Sequence, residues 1–326
     1  MKDALAGNVL FYIKNPDTTG HVEQNRVYLY PTFLVLDSGG EALYTWVGWD
    51  GAEKWVEYLG SAVREPLTVD ERRARFEADP TFNDAYMLAT TDYARRDTRQ
   101  AHNYFRRAMD LDESAARRAD APIFLFRTAY RGTGVGEFTI EECGAVAEEI
   151  LRDSKAKAEY ALEISERLVR VVNDIGEEVV IPYLRMAYPI VQKDNSEELR
   201  ARCQRFYGNY ALIVEKDPEK AVGYNREAMP EGWRDDPAQL NRFAWWCFEH
   251  KVNLEEAEDL SRRSVELAED SRVKANCLDT LAEIVNLRGD TAGALDLIKQ
   301  GLEIDPDNDY LTKQRTRFEE ALAGAG

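Results

Sequence analysis

The sequence predicts a mainly α fold, an array of helix hairpins preceded by a small α/β segment. Three observations predict it. Apolar residues over most of the chain recur at the three- and four-residue spacing of amphipathic helices. Small residues recur at long, near-constant intervals, with Ala221, Ala257 and Ala294 standing 36 and 37 residues apart, close to the period of stacked helix pairs. Only the first ~65 residues carry β-rich runs joined by a glycine-containing turn.

In chain order, Asn8 to Lys14 (NVLFYIK) reads as a strand. Phe33 to Asp37 and Leu43 to Val47 read as two more, joined by Ser38-Gly39-Gly40 in a hairpin. Gly51 to Val63 is an amphipathic helix with Trp55, Leu59 and Val63 on one side. Arg64-Glu65-Pro66 is a linker, so residues 1–65 and 66–326 are expected as separate domains. Thr68 with Glu71 caps the next helix.

The clearest repeat is the 34-residue block Ala275 to Asn308. Leu278, Leu281 and Ala282 fall at positions 4, 7 and 8, Gly289 at 15, Ala294 at 20, Gly301 at 27 and Pro306 at 32. A helix–turn–helix pair needs small residues where its helices cross, a glycine in its turn and a proline after its second helix. A second unit starts at Phe82 and carries Leu88, Ala89, Tyr93, Ala101, Phe105, Ala108 and Leu111. It has Arg96 in place of the turn glycine and Glu113 in place of the proline. A third starts at Ala238, with Ala244, Phe248, Ala257, Ser264 and Leu267. Asp236 and Pro237 open its first helix as N-cap and N1. Asn253 and Glu256 open its second as a variant capping box. A weaker unit holds Gly208, Ala221 and Ala228. Longer interhelix loops are expected to absorb the excess over the usual period. Between about 115 and 200 the pattern stays helical, with a capping box at Thr139-Ile-Glu-Glu142. Asp309 to Ala323 reads as a polar terminal helix that covers the last apolar face.

The helix-pair units resemble tetratricopeptide repeats, which implies an α-solenoid with a concave groove. Val27 to Asp37 (VYLYPTFLVLD), followed by Trp46-Val-Gly-Trp49 and a helix, resembles the C-terminal half of a thioredoxin fold. That resemblance implies a cis Pro31, with Tyr30 presenting backbone groups to an extended partner. The chain departs from that family in having no C-x-x-C before the matching segment. Either the gene begins further upstream, or the segment is a degenerate half-domain whose strand edges are covered by other elements. Together the two resemblances suggest a bacterial thioredoxin–tetratricopeptide protein.

Composition narrows function. The 42 Lys and Arg against 60 Asp and Glu leave a net charge of −18, which argues against nucleic acid as a partner. No apolar run reaches the ~20 residues of a membrane span. Without a signal peptide in the given sequence, the cytoplasm is the default compartment, with export the alternative if a signal lies upstream. The four cysteines are dispersed and only three histidines exist, so neither metal nor cofactor is expected. Gly132-Thr-Gly134-Val-Gly136 has the spacing of an interhelix loop rather than of a dinucleotide site. Paired carboxylates such as Glu148-Glu149 fit a solvated helix face. No catalytic residue emerges.

The candidate binding residues come from the repeat register. Trp246 and His250 fall at positions 9 and 13, which line the groove of tetratricopeptide arrays, and Arg242 and Glu249 flank them. Trp245, at position 8, is a packing residue. The alternative is that both tryptophans pack between helices. The corresponding residues of the last repeat are Asn276, Asp279, Glu283 and Asn286, an acidic patch that favours a basic or amide-rich peptide. The expected function is a non-catalytic protein–protein interaction scaffold. The alternative is a thiol–disulfide oxidoreductase or redox-linked chaperone whose C-x-x-C lies upstream. A third reading is a structural oligomer formed through the N-terminal sheet edge.

Overall fold

A computed structural model describes residues 20–24, 26–49 and 51–324. The strand expected at Asn8 to Lys14 lies outside the described residues. The chain divides between Lys155 and Ala156 into two compact units.

In the first unit a helical turn, α1 (His21–Gln24), precedes β1 (Thr32–Leu36) and β2 (Ala42–Val47). The strands pair antiparallel, Phe33 opposite Trp46 and Val35 opposite Tyr44. The expected turn is present. Gly40 takes φ 89°, a conformation that side chains resist, and Asp37 Oδ1 accepts from the amides of Gly39 and Glu41 at 2.8 and 2.9 Å. The Tyr30–Pro31 peptide is cis. β2 is buried from Ala42 to Trp46, whereas β1 is half-buried throughout. Helix α2 (Ala52–Arg64) buries Trp55, Tyr58, Leu59 and Ala62. Val63, expected on that face, is exposed: eight residues beyond Trp55 a helix has turned about 80° too far, and Ala62 takes the place. Trp46 anchors the aromatic core, with ring centroids 5.3 Å from Phe33 and Tyr44 and 5.4 Å from Tyr58.

The helices of this unit are α3 (Val69–Ala78), α4 (Phe82–Ala94), α5 (Thr98–Leu111), α6 (Glu113–Arg118), α7 (Ala121–Thr133) and α8 (Ile140–Arg152). Both expected capping boxes, Thr68–Glu71 and Thr139–Glu142, are closed. Every residue of α4 from Asp84 to Ala94 is buried, because α3, α5 and β2 all pack on it. Its sequence lacks a charged stripe for that reason. Thr90 Oγ1 donates to the Tyr44 hydroxyl at 3.0 Å, and the Thr45 amide donates to Thr91 Oγ1 at 3.3 Å. These contacts run across the 65/66 boundary. The α4–α5 turn places Arg96 at φ 63°, the left-handed conformation in which glycine is easiest. Arg96 is held there by stacking on the Tyr28 ring, 5.2 Å away, and by donating to the Tyr28 carbonyl at 3.2 Å. In the last turn of α7, where the glycine-rich stretch begins, a Cβ on Gly132 would lie 2.4 Å from the Phe138 ring, so that glycine serves packing.

The second unit holds α9 (Ala158–Arg170), α10 (Val172–Ile175), α11 (Glu177–Val191), α12 (Arg200–Tyr210), α13 (Pro218–Glu227), α14 (Pro237–His250), α15 (Leu254–Leu267), α16 (Ser271–Leu287), α17 (Thr291–Ile304) and α18 (Asp309–Gly324). α12–α13, α14–α15 and α16–α17 are helix hairpins, and α16 packs on both members of the preceding pair. Gly208 allows α12 to approach α13, where a Cβ would lie 3.3 Å from the Ala221 carbonyl oxygen. Asp236 caps α14 through the amides of Ala238 and Gln239. The box expected at Asn253 does not form on the backbone. Asn253 sits at φ 49°, which turns its side chain from the first-turn amides, and it donates to Glu256 Oε2 at 2.6 Å instead. The excess over the repeat period has two sources. One is the expected long connection, residues 228–236, with a 3-10 turn at Trp233–Asp235. The other is α16 itself, with 17 residues against 14 in α14.

Candidate functional site

The candidate site lies on the first helices of the hairpins in the second unit. On α14, Leu240, Phe243, Ala244 and Cys247 are fully buried in a cluster with Val222, Ala257, Leu260 and Ile284. Burial of that face fixes the rotation of α14 and directs Arg242, Trp246, Glu249 and His250 to the other side. Arg242 and Glu249 are exposed, and Trp246 and His250 are half-buried. The His250 ring lies 4.7 Å from the Trp246 ring at 30°, and its Nδ1 is 2.8 Å from the Trp246 carbonyl oxygen. With a carbonyl as acceptor, Nδ1 donates, so Nε2 is the nitrogen left for a ligand. Trp246 packs against the core cluster while remaining half-buried. Trp245 is also half-buried, against Phe248 at 5.1 Å. Trp246 and His250 therefore form one aromatic unit, with Arg242 one turn before it.

The last repeat differs from the sequence expectation. Asn276 is exposed, but Glu283 is only 6% exposed. Its Oε1 accepts from Gln314 Nε2 at 2.7 Å and from Arg317 Nη2 at 2.6 Å, both on α18. Asn286 Oδ1 accepts from Thr291 Oγ1 at 2.8 Å in the α16–α17 turn. Asp279 lies beside the same α18 residues. Burial raises its pKa to about 6, helped by Glu283 and opposed by Arg317, Gln314 and Tyr310. The terminal helix thus covers Glu283 and pairs it with Arg317, while Asn276 stays exposed and Asp279 and Asn286 are half-buried. Sequence reasoning missed Gln314 and Arg317, although a signal existed: Glu283 and Arg317 stand 34 residues apart, one repeat period.

Asp279 makes the terminal contact pH-dependent. Its pKa rises from ~3.9 when unfolded to about 6 when folded. Its contribution to stability is therefore fully present below ~4 and is lost as pH rises through 6. We expect Asp279→Asn to unfold at higher urea than the parent at pH 7.5, by about 1–2 kcal/mol, and to match it at pH 4. Equal midpoints at both pH values would show that the carboxyl is not buried by α18.

The thiols do not assemble a redox centre. Cys143, Cys203, Cys247 and Cys277 are all buried. Burial raises the pKa of Cys203 and Cys277, and that of Cys247 to about 12, which suppresses the thiolate needed for exchange. Among the described residues no cluster of His, Cys, Asp and Glu has the makings of a metal site. No helix among them is long and apolar enough to cross a membrane.

The helix hairpins give the chain a mainly α, tetratricopeptide-like helical-repeat fold. No family model and no curated protein sequence matches it. Among solved structures, PilF of Pseudomonas aeruginosa is 17% identical with a TM-score of 0.43, over 76% of this chain and 99% of that one. YrrB, a tetratricopeptide repeat protein with an unusual peptide-binding site, is 14% identical with a TM-score of 0.38, over 76% and 100%. A chain of the Cut9–Hcn1 hetero-tetramer of APC/C is 13% identical with a TM-score of 0.42, over 82% and 49%.

Proposed function

We propose that the protein is a non-catalytic interaction scaffold that takes a peptide or partner protein along the exposed faces of the first helices of its hairpins. The observation that carries this reading is the α14 face. Trp246 is seated on the core yet partly open, backed by the His250 ring and flanked by the exposed Arg242 and Glu249. A rigid, half-exposed aromatic with polar neighbours is the usual anchor of a protein interface. Residues 66–326 supply this binding module. Residues 1–65 are a thioredoxin-like segment of a bacterial protein, working in the cytoplasm without metal or cofactor, and Tyr30 and Pro31 offer their backbone to an extended chain. A copy-to-copy contact along the half-buried β1 edge is the corresponding oligomer.

Pull-down of partners followed by direct titration tests this. Trp246→Ala should weaken capture by about 1–3 kcal/mol and His250→Ala by less. Glu148→Ala, on a solvated face where its partner is Arg152, should leave capture unchanged. Equal effects of all three would remove the assignment. Measurable turnover in an insulin-reduction assay would favour an oxidoreductase instead.

A further inference from the structure

Helix α11 differs from α15 in what it shows to solvent. It packs against α9, α10 and the π-helical turn that follows α12, and Val180, Leu184, Ala187 and Val191 form its buried stripe. Only three of its 15 residues are charged, against seven of 14 in α15. A helix with one side in water ordinarily carries its charges there, as α15 does with Asp259, Arg262 and Glu266. The corresponding side of α11 carries Val179, Pro182, Met186 and Pro189. Both prolines are exposed, and Val179 and Met186 are half-buried.

Those four positions stand three, four and three residues apart, the spacing of the seam along which two helices pack lengthwise. Glu178 and Arg185 flank the seam on one side, seven residues apart, so they lie on the same face. Glu177 is held by Lys216. Glu178 and Arg185, both exposed, form no ion pair among the described residues. Pro182 has no N–H, which also frees the Glu178 carbonyl for another donor. An acid and a base at this spacing are complementary to themselves. A second α11 laid antiparallel across a two-fold axis sets the Glu178 of each copy against the Arg185 of the other. The same arrangement covers the apolar seam of both.

We propose that α11 is a self-association face, through which two copies of this chain pack their α11 helices antiparallel about a two-fold axis. The face is on a different helix from Trp246 and in a different unit from β1, so it stands independently of the groove reading. Each copy carries a net charge of −18, and that repulsion opposes the encounter until salt screens it. A contact one helix long falls at the small end of specific interfaces, so the dissociation constant is expected to be roughly micromolar.

Sedimentation velocity of the full chain tests this, at about 0.15 M salt and over roughly 1 to 100 µM protein. We expect monomer–dimer exchange. Arg185→Glu and Glu178→Arg should each weaken self-association at least about tenfold. The two variants mixed should associate as the parent does, because each supplies the charge that the other lacks. A fluorescent label on one variant separates mixed pairs from like pairs, and circular dichroism melts confirm folding. Trp246→Ala should leave the exchange unchanged. A chain that stays monomeric throughout would overturn the proposal. So would reversals that weaken the dimer without rescue on mixing, since a local folding defect explains that result. A dimer that ignores both reversals would also overturn it and return the copy-to-copy contact to the β1 edge.

Discussion

Asp84→Ala should cost the protein about 3–5 kcal/mol of stability, the largest loss expected from any single charged residue in the first unit. Asp84 and Arg72 are 0% and 1% exposed and lie 2.7 Å apart. Arg75 adds a second donor set, Nε to Oδ2 at 2.8 Å and Nη2 to Oδ1 at 2.6 Å. Burial pushes the Asp84 pKa up, but the bonds from Arg75 and Arg72 outweigh it, and the net pKa lies below the ordinary carboxylate range. Removing the carboxylate strands the Arg72 guanidinium in the interior, with only the Glu65 carbonyl at 3.1 Å as acceptor. Urea denaturation at pH 7 measures the loss. The double variant Arg72→Met, Asp84→Leu should recover most of it, because it removes both charges together. A loss under about 1 kcal/mol in the single variant would show that the charge escapes to water. Since the folded pKa of Asp84 is lowered, its stabilisation holds above ~4 and declines as the pH falls further.

Phe318→Ala is the second large effect. The ring is 1% exposed and packs with Leu281, Ala282, Leu295, Ile298 and Leu311. Truncating it should remove about 3–5 kcal/mol and loosen α18. Because Arg317 and Gln314 ride on that helix, the variant should also expose Asp279 and Glu283. Limited trypsin digestion, read by mass spectrometry, would then show early cutting at Lys313, Arg315 or Arg317. An unchanged melting temperature with an unchanged digestion pattern would mean that α18 is not needed to close the last hairpin.

Much of the fold was legible because its signals are local. Capping boxes at Thr68 and Thr139, the Asp236-Pro237 start and the Gly39-Gly40 turn each follow from a few adjacent residues, and each lies where expected. Signals that depend on two distant segments were harder to read. Asn276 to Asn286 carries an acidic pattern in isolation, and only the folded chain shows that α18 supplies Arg317 and Gln314 to cover it. Val63 failed for a different reason: heptad-like spacing was read one residue too far, and the small Ala62 holds the buried place. The repeat around Gly208 is weak because a π-helical turn at Ala211–Glu215 interrupts its regular spacing. In the first unit, the expected division at 65/66 follows the change in sequence character, whereas the packing of β2 on α4 follows from tertiary structure alone.

The first complete helix pair meets a sheet through β2, and the last meets the lone helix α18. Those two faces carry tailored partners, Thr90 and Thr91 for the strand, Glu283 and Asp279 for the helix. An additional hairpin inserted at either place would have to displace a fitted neighbour, whereas one inserted between existing pairs would find the surface it needs on both sides. A hairpin inserted between α17 and α18 is therefore expected to destabilise the second unit more than one inserted between α15 and α16.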